Sequence, residues 1–296
     1  MAKLRGAFTA LITPMNSDES VDYDGFRRLV RFQLESGISG IVPLGTTGET
    51  PTLEDSEEEK LIEIAVTEAG GKVPVILGAG SNCTRDAVRY VKRAKQRGAD
   101  YALVVTPYYN KPTEEGIYRH FAACAEVGIP IIVYNIAGRT GKNISTPLLA
   151  RIAELPNIAG VKEASGDINQ VMDVIQRVAA RKPDFSVLSG DDALTLPLIA
   201  LGGDGIVSVV SNIAPAKVTE MAAAALSGDF ATARRLHYEL LPFFRAAFIE
   251  TNPVPIKAAM NMKGIPAGSL RLPLCSLMKE NEPKLRAALE AAGILK

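Results

Sequence analysis

The sequence predicts an α/β fold of the (β/α)8 class, a TIM barrel with a small C-terminal helical region. Three observations predict it. Eight short apolar runs rich in β-branched residues recur along the chain, and an amphipathic segment follows each of them. Successive runs begin roughly 20 to 35 residues apart, the size of one β/α unit. Several, such as IIVYN and ALVVT, are apolar throughout, as strands buried on both faces must be. Repeated alternation of this kind points to a parallel sheet closed on itself. A doubly wound open sheet is the alternative. It calls for a glycine-rich phosphate turn after the first strand, and ITPMNSDES is not one.

The expected strands are Ala7–Thr13, Gly40–Leu44, Val73–Gly78, Tyr101–Thr106, Pro130–Asn135, Ile158–Glu163, Phe185–Ser189 and Gly205–Val209. Helix signals lie between them. Thr84 is an N-cap candidate for a helix that Gly98 closes, Thr113 opens another, and Pro147 follows Ser145 at a helix start. Beyond the eighth run, helical stretches are expected near Ala216–Leu226, Asp229–Ile249, Pro255–Met262 and Glu280–Ala292. The expected division is a barrel over residues 1–226 and a helical region over 227–296.

Composition narrows the class. Of the 296 residues, 47% are hydrophobic and 22% charged, and Lys plus Arg balances Asp plus Glu at 33 each. No net field draws the chain toward nucleic acid or an anionic membrane. No apolar run approaches the roughly 20 residues needed to span a bilayer. The apolar N-terminal stretch lacks a small-residue cleavage site and fits a first strand better than a signal peptide, so a cytoplasmic protein is expected. Cys83, Cys124 and Cys275 are widely spaced and odd in number, which argues against a disulfide framework and a zinc site. His120 and His237 stand alone in helical segments, as surface or packing residues do. Proton transfers would then fall to Tyr, Lys, Thr or carboxylates.

In a barrel of this class the chemistry lies at the C-terminal ends of the strands. Those ends carry Thr46 and Thr47, Tyr108 and Tyr109, Tyr134 with Arg139, Lys162, and Gly190-Asp191-Asp192. Lys162 stands out, because apolar flanks predict burial, and burial lowers an ammonium pKa and frees an amine to attack a carbonyl. Counted from the starts of their runs, Tyr134 and Lys162 are both fifth, so adjacent parallel strands would set a phenol beside the amine. The competing reading is a strand-end lysine that snorkels to solvent and pairs with Glu163. GTTGE could hold a phosphate or a carboxylate on its amides and hydroxyls. Asp191-Asp192 could suggest a divalent metal, but a helix N-cap suits the pair better.

These segments together resemble a known group. TPM at Thr13–Met15, GTTGET at Gly45–Thr50, TPYYNKP at Thr106–Pro112, GVKEASGD at Gly160–Asp167, LSGDD at Leu188–Asp192, GGDGIVSV at Gly202–Val209 and NPVPIK at Asn252–Lys257 are similar to the N-acetylneuraminate lyase and dihydrodipicolinate synthase superfamily over the whole chain. The resemblance implies a (β/α)8 barrel, a Schiff-base lysine and a homotetramer built as a dimer of dimers. It is strongest with the branch that condenses pyruvate with L-aspartate 4-semialdehyde on the way to diaminopimelate and lysine, using no cofactor and no metal. It implies Lys162 as the imine-forming nucleophile. Tyr134, Thr46 and Tyr109 would form a hydroxyl relay, with Tyr109 supplied by a neighbouring subunit. Thr47 would bind the pyruvate carboxylate, Arg139 the carboxylate of the second substrate, and Gly190 and Ile206 would offer backbone carbonyls. One position departs: Ala137 stands where the family usually has proline, in the loop that aims Arg139.

Two other functions share parts of this pattern. A sister aldolase would cleave sialic acid or a 2-keto-3-deoxy sugar acid to pyruvate with the same Lys162 and Tyr134. A pyruvate-binding sensor would need less of the set than is present. The resemblance also implies an allosteric lysine site at Asn82, Asp86 and Tyr108. Asp55 and Glu58 could attract the lysine ammonium but would repel its carboxylate if they line that end of the site. The alternative is that Glu54–Glu59 is simply the acidic first turn of a solvated helix, and weak inhibition or none is expected.

Overall fold

A computed structural model describes residues 3–295, so the outermost ends of the two expected spans, residues 1–2 and 296, lie outside the described residues. All eight expected strands form: β1 Gly6–Ala10, β2 Gly40–Val42, β3 Ile76–Gly78, β4 Tyr101–Val105, β5 Ile131–Asn135, β6 Ile158–Glu163, β7 Ser186–Ser189 and β8 Gly205–Ser208. They belong to one sheet in the order β2-β1-β8-β7-β6-β5-β4-β3, with helices between successive strands and more helices after β8. The architecture is a (β/α)8 barrel with a C-terminal helical region.

Two compact units make up the chain. One holds the chain up to Gly6 together with Ile76–Val207, and the other holds Ala7–Val75 together with the chain from Ser208 onward. In the first unit β3 to β8 pair in sequence, each parallel to the next. The Gly6 amide also donates to Asp204 O at 2.9 Å just ahead of β8. Gly205, at φ 146°, is obligatory there, because a Cβ would fall 1.9 Å from Gly6 O. In the second unit β1 pairs with β2, and Ile41 of β2 bridges Val75.

All strands but β6 are shorter than their apolar runs, and for β1 and β3 the reason is visible. β1 stops at Ala10, and the Ile12 amide donates to the Asn212 side chain at 3.1 Å rather than to a strand. β3 starts at Ile76, because Pro74 has no N–H and contributes only its carbonyl, to Ile41 N at 3.1 Å. The C-terminal helices run Pro215–Leu226, Phe230–Ala246, Val254–Lys263 and Glu282–Ala291.

Helix starts follow the sequence with one correction. Thr113 and Ser145 cap their helices by accepting from Gly116 N and Leu148 N. Thr84 does not cap: Cys83 holds the N-cap position of Thr84–Gln96 without a side-chain bond. The Thr84 hydroxyl meets His120 Nδ1 at 3.0 Å instead. Both histidines are packing residues. His120 meets Phe121 edge-on, His237 meets Tyr238 edge-on, and burial pushes the His120 pKa down to about 4.

Candidate active site

The β5–β6 pair sets the two residues that the sequence singles out opposite each other. Its register aligns Tyr134 with Lys162, and a one-residue bulge makes this possible. Ile131 pairs with Ile158 but Ile132 pairs with Gly160, and without the skipped Ala159 the phenol would face Val161. Lys162 Nζ lies 4.2 Å from the centroid of the Tyr134 ring. The lysine is only 6% exposed, so it does not snorkel, and Glu163 is not its counterion. The Glu163 carboxylate accepts instead from Asn135 Nδ2, from Gln170 Nε2 at 3.1 Å and from Ser165 N at 2.7 Å.

Burial is the main cause that lowers the Lys162 pKa, to about 8. Asp192 opposes the shift and the Arg139 charge adds to it. Burial pushes the Tyr134 phenol up to about 12, with Arg139 again felt in the opposite sense. At neutral pH the pair therefore offers an amine that loses its proton readily beside a phenol that keeps its own. The lysine stem runs along Gly190, where an added Cβ would sit 3.1 Å from Lys162 Cε and 2.7 Å from Ala164 Cβ. Ile206 is buried in β8 opposite Ser189. Asp191 caps the short turn that follows β7, as the sequence suggests, through Ala193 N at 2.9 Å.

Arg139 lies in the four-residue helix Ala137–Thr140, which forms without the proline. The loop around it is tied to the strand ends by side chains. Asn135 Nδ2 donates to Asn143 Oδ1 at 2.8 Å, and Asn135 Oδ1 accepts from Ile144 N at 3.0 Å. Tyr109 is 89% exposed and adopts φ 71°, an uncommon conformation for a residue with a side chain. Tyr108 is also exposed, Asn82 O accepts from Asn110 Nδ2 at 2.8 Å, and Asp86 lies 3.9 Å from Arg89.

The second unit holds Thr46 and Thr47, in a tight turn after β2. The Gly48 amide donates to Gly45 O, the Glu49 amide to Thr46 O, and the Thr50 hydroxyl to Gly45 O. Thr46 is exposed while Thr47 is buried, with Asn252 Nδ2 donating to its hydroxyl at 2.9 Å. Glu49 closes the turn at φ 55° and buries its carboxylate against Lys257, with Nζ to Oε1 at 2.7 Å. Lys257 also donates to Thr13 O at 3.0 Å and to Ser269 O. Asp55 and Glu58 sit in the first turn of the helix Asp55–Ala69, which a Glu54–Glu57 capping box opens.

Sequence reasoning did not place Asp192 beside Lys162 in the first unit, nor Asn252, Glu49 and Lys257 around the Thr46–Thr47 turn in the second. The signal for the last two was present, as charged residues inside GTTGET and NPVPIK, but their pairing spans 208 positions. Among the described residues there is no group of three or more His, Cys, Asp or Glu placed to hold a metal ion.

The model of the dihydrodipicolinate synthetase family matches residues 3–292. This chain belongs to that family. It is 54% identical to the 4-hydroxy-tetrahydrodipicolinate synthase of Protochlamydia amoebophila (strain UWE25), covering 97% of this chain and 96% of that one. Among solved structures, the dihydrodipicolinate synthase of Thermotoga maritima is 44% identical with a TM-score of 0.96, covering 99% of both chains. A dihydrodipicolinate synthase characterised as the first monomeric variant matches at 44% identity and a TM-score of 0.96, over 99% of this chain and 98% of that one. The family therefore includes at least one protein described as a monomer.

Proposed function

We propose that this chain condenses pyruvate with L-aspartate 4-semialdehyde to 4-hydroxy-tetrahydrodipicolinate, a lyase reaction of diaminopimelate and lysine biosynthesis. The single observation that carries the reading is the Lys162–Tyr134 pair: a buried amine with its pKa near 8, directly opposite a phenol in register. The family and the 54% identical synthase support the choice of reaction.

In this reading Lys162 Nζ attacks C2 of pyruvate, and the carbinolamine loses its hydroxyl as water to give the imine. Tyr134, Thr46 and a neighbouring copy's Tyr109 pass the protons. Loss of a C3 proton gives an enamine, which adds to the aldehyde carbon held by Arg139 through its carboxylate. The adduct's own amine then attacks the imine carbon and releases Lys162. Thr47 binds the pyruvate carboxylate, and the carbonyls of Gly190 and Ile206 face the intermediate. The assembly is a homotetramer, the compartment the cytoplasm, and the lysine site at Asn82, Asp86 and Tyr108 a weak one. No helix among the described residues is long and apolar enough to cross a membrane, and all three cysteines are free thiols.

The test offers pyruvate with aspartate semialdehyde, beside N-acetylmannosamine and sugar aldehydes, and traps the imine with borohydride. Turnover with the semialdehyde and a pyruvyl adduct on the Lys162 peptide are expected. Preference for a sugar aldehyde would establish the sister aldolase, and labelling away from Lys162 would refute the mechanism.

A further inference from the structure

Two motifs carry charged residues that the reaction does not use: Glu49 at the end of the Thr46–Thr47 turn, and Lys257 in the helix Val254–Lys263. Both side chains are completely withdrawn from water, 0% and 1% exposed. Such a pair is a poor device for stability, since desolvating two charges offsets most of their attraction. Its geometry suggests a different use. The three protons of the Lys257 ammonium meet three acceptors: Glu49, Thr13 O and Ser269 O. The other oxygen of Glu49 accepts from Arg271 N at 3.1 Å. Thr13 in turn donates its hydroxyl to Gly48 O at 2.7 Å, inside the same turn. Glu49 holds a left-handed conformation that a non-glycine residue keeps only when its surroundings fix it. The helix that carries Lys257 follows Asn252, whose amide reaches Thr47. The turn is therefore gripped at three successive residues on the C-terminal side of Thr46, namely Thr47, Gly48 and Glu49.

We propose that Glu49 and Lys257 are positioning residues, a buried ion pair that fixes the Thr46–Thr47 turn for binding and protonating the 2-oxo acid. This rests on the pyruvate reading above and deepens it. Loosening the anchor frees the Glu49 end of the turn, and the hydroxyls lose their aim while the amine of Lys162 is untouched. A displacement of about 1 Å is enough to cost up to about a hundredfold in rate.

The experiment compares the wild type with Glu49→Gln and Glu49→Ala. Glu49→Gln keeps the size and one acceptor and loses the charge. Pyruvate half-saturation in borohydride trapping, kcat in the coupled assay and the thermal midpoint are measured for each. Glu68→Gln serves as a control for general loosening, because it weakens the surface pairs with Arg27 and Arg31 at 2.5 and 2.7 Å. Glu49→Gln is expected to raise pyruvate half-saturation and lower kcat, each by about tenfold. Glu49→Ala is expected to do more, and Glu68→Gln to leave both within twofold. Saturating pyruvate should still label Lys162 in every variant. If Glu49→Gln folds with half-saturation and kcat within twofold of wild type, whatever its midpoint, the anchor is structural only and the proposal is overturned; Glu49→Gln decides even if the alanine variant fails to fold. Failure of the functional reading shows up separately, as a wild type that neither traps pyruvate nor turns over.

Discussion

Lys162 and Lys257 are both buried lysines with lowered pKa, and for both the first cause is desolvation. Their neighbours differ. Lys257 spends its protons on a carboxylate and two carbonyls, so it remains an ammonium with no lone pair to offer. Lys162 lies against an aromatic face and a glycine backbone, with Asp192 the carboxylate that acts on it. Burial alone does not make a nucleophile. What decides is whether the surroundings pay for the charge or leave it to be shed.

The largest test of this contrast is thermodynamic and has opposite signs at the two sites. With a folded-state pKa near 8, below its ordinary value, Lys162 binds its proton less tightly folded than unfolded. Below about pH 8 the group is charged in both states, and burying it costs of order 3 kcal/mol. That cost fades as pH rises from about 8 toward the normal lysine range, above which both states are neutral. Lys162→Met should therefore abolish turnover yet match or exceed wild-type stability at pH 7. Lys257→Met strands the Glu49 carboxylate and should cost about 3–5 kcal/mol. Urea unfolding of both variants at pH 7 measures this, and equal losses would erase the distinction.

The next effect is chemical. Tyr134→Phe keeps the ring against Nζ and removes only the hydroxyl, so kcat should fall about 10²- to 10⁴-fold. Far-UV spectra and the unfolding midpoint should hold, and a kcat near wild type would take Tyr134 out of the relay.

The fold was largely legible because its strands announce themselves locally, as β-branched runs at regular spacing. Tyr134 and Lys162 were legible for a related reason, since counting along two neighbouring strands anticipates their register, although the bulge at Ala159 that completes it was not foreseen. What escaped has partners far along the chain. Thr84 looks like a cap because its own segment says so, and the competing partner, His120, is 36 residues away. Glu49 and Lys257 each look like surface charges until the chain brings them together. Asp192 looked like half of a capping pair, yet only Asp191 caps while Asp192 is buried and acts on Lys162.

A smaller effect sharpens the role of Arg139. Arg139→Ala should reduce kcat/KM for the semialdehyde at least about tenfold, or roughly 1.4 kcal/mol, while pyruvate imine formation survives. Steady-state kinetics with each substrate varied will separate the two, and unchanged efficiency with the semialdehyde would remove the assignment.

The smallest effect is a shift in pH. Asp192 favours the protonated lysine, so Asp192→Asn should lower the Lys162 pKa further below 8. On the proposed mechanism the rate of imine formation should rise with pH as Lys162 deprotonates, and in the variant that rise should move to lower pH by up to about one unit. A rise displaced to higher pH, or not displaced, would show that Asp192 does not govern the amine.

Gly190 carries a consequence for how this site can change over time. A single methyl there would press on Lys162 and Ala164, and one at Gly160 would lie 2.5 Å from Ser186 O, so the ground beside the proposed nucleophile is closed to variation. Gly138, next to Arg139, has nothing within 4 Å of where a side chain would begin. If Arg139 holds the second substrate as proposed, novelty in substrate choice has a door at one glycine and a wall at the other. A mutational search for new aldehyde partners would therefore find its room at 138, leaving the proposed imine chemistry as inherited.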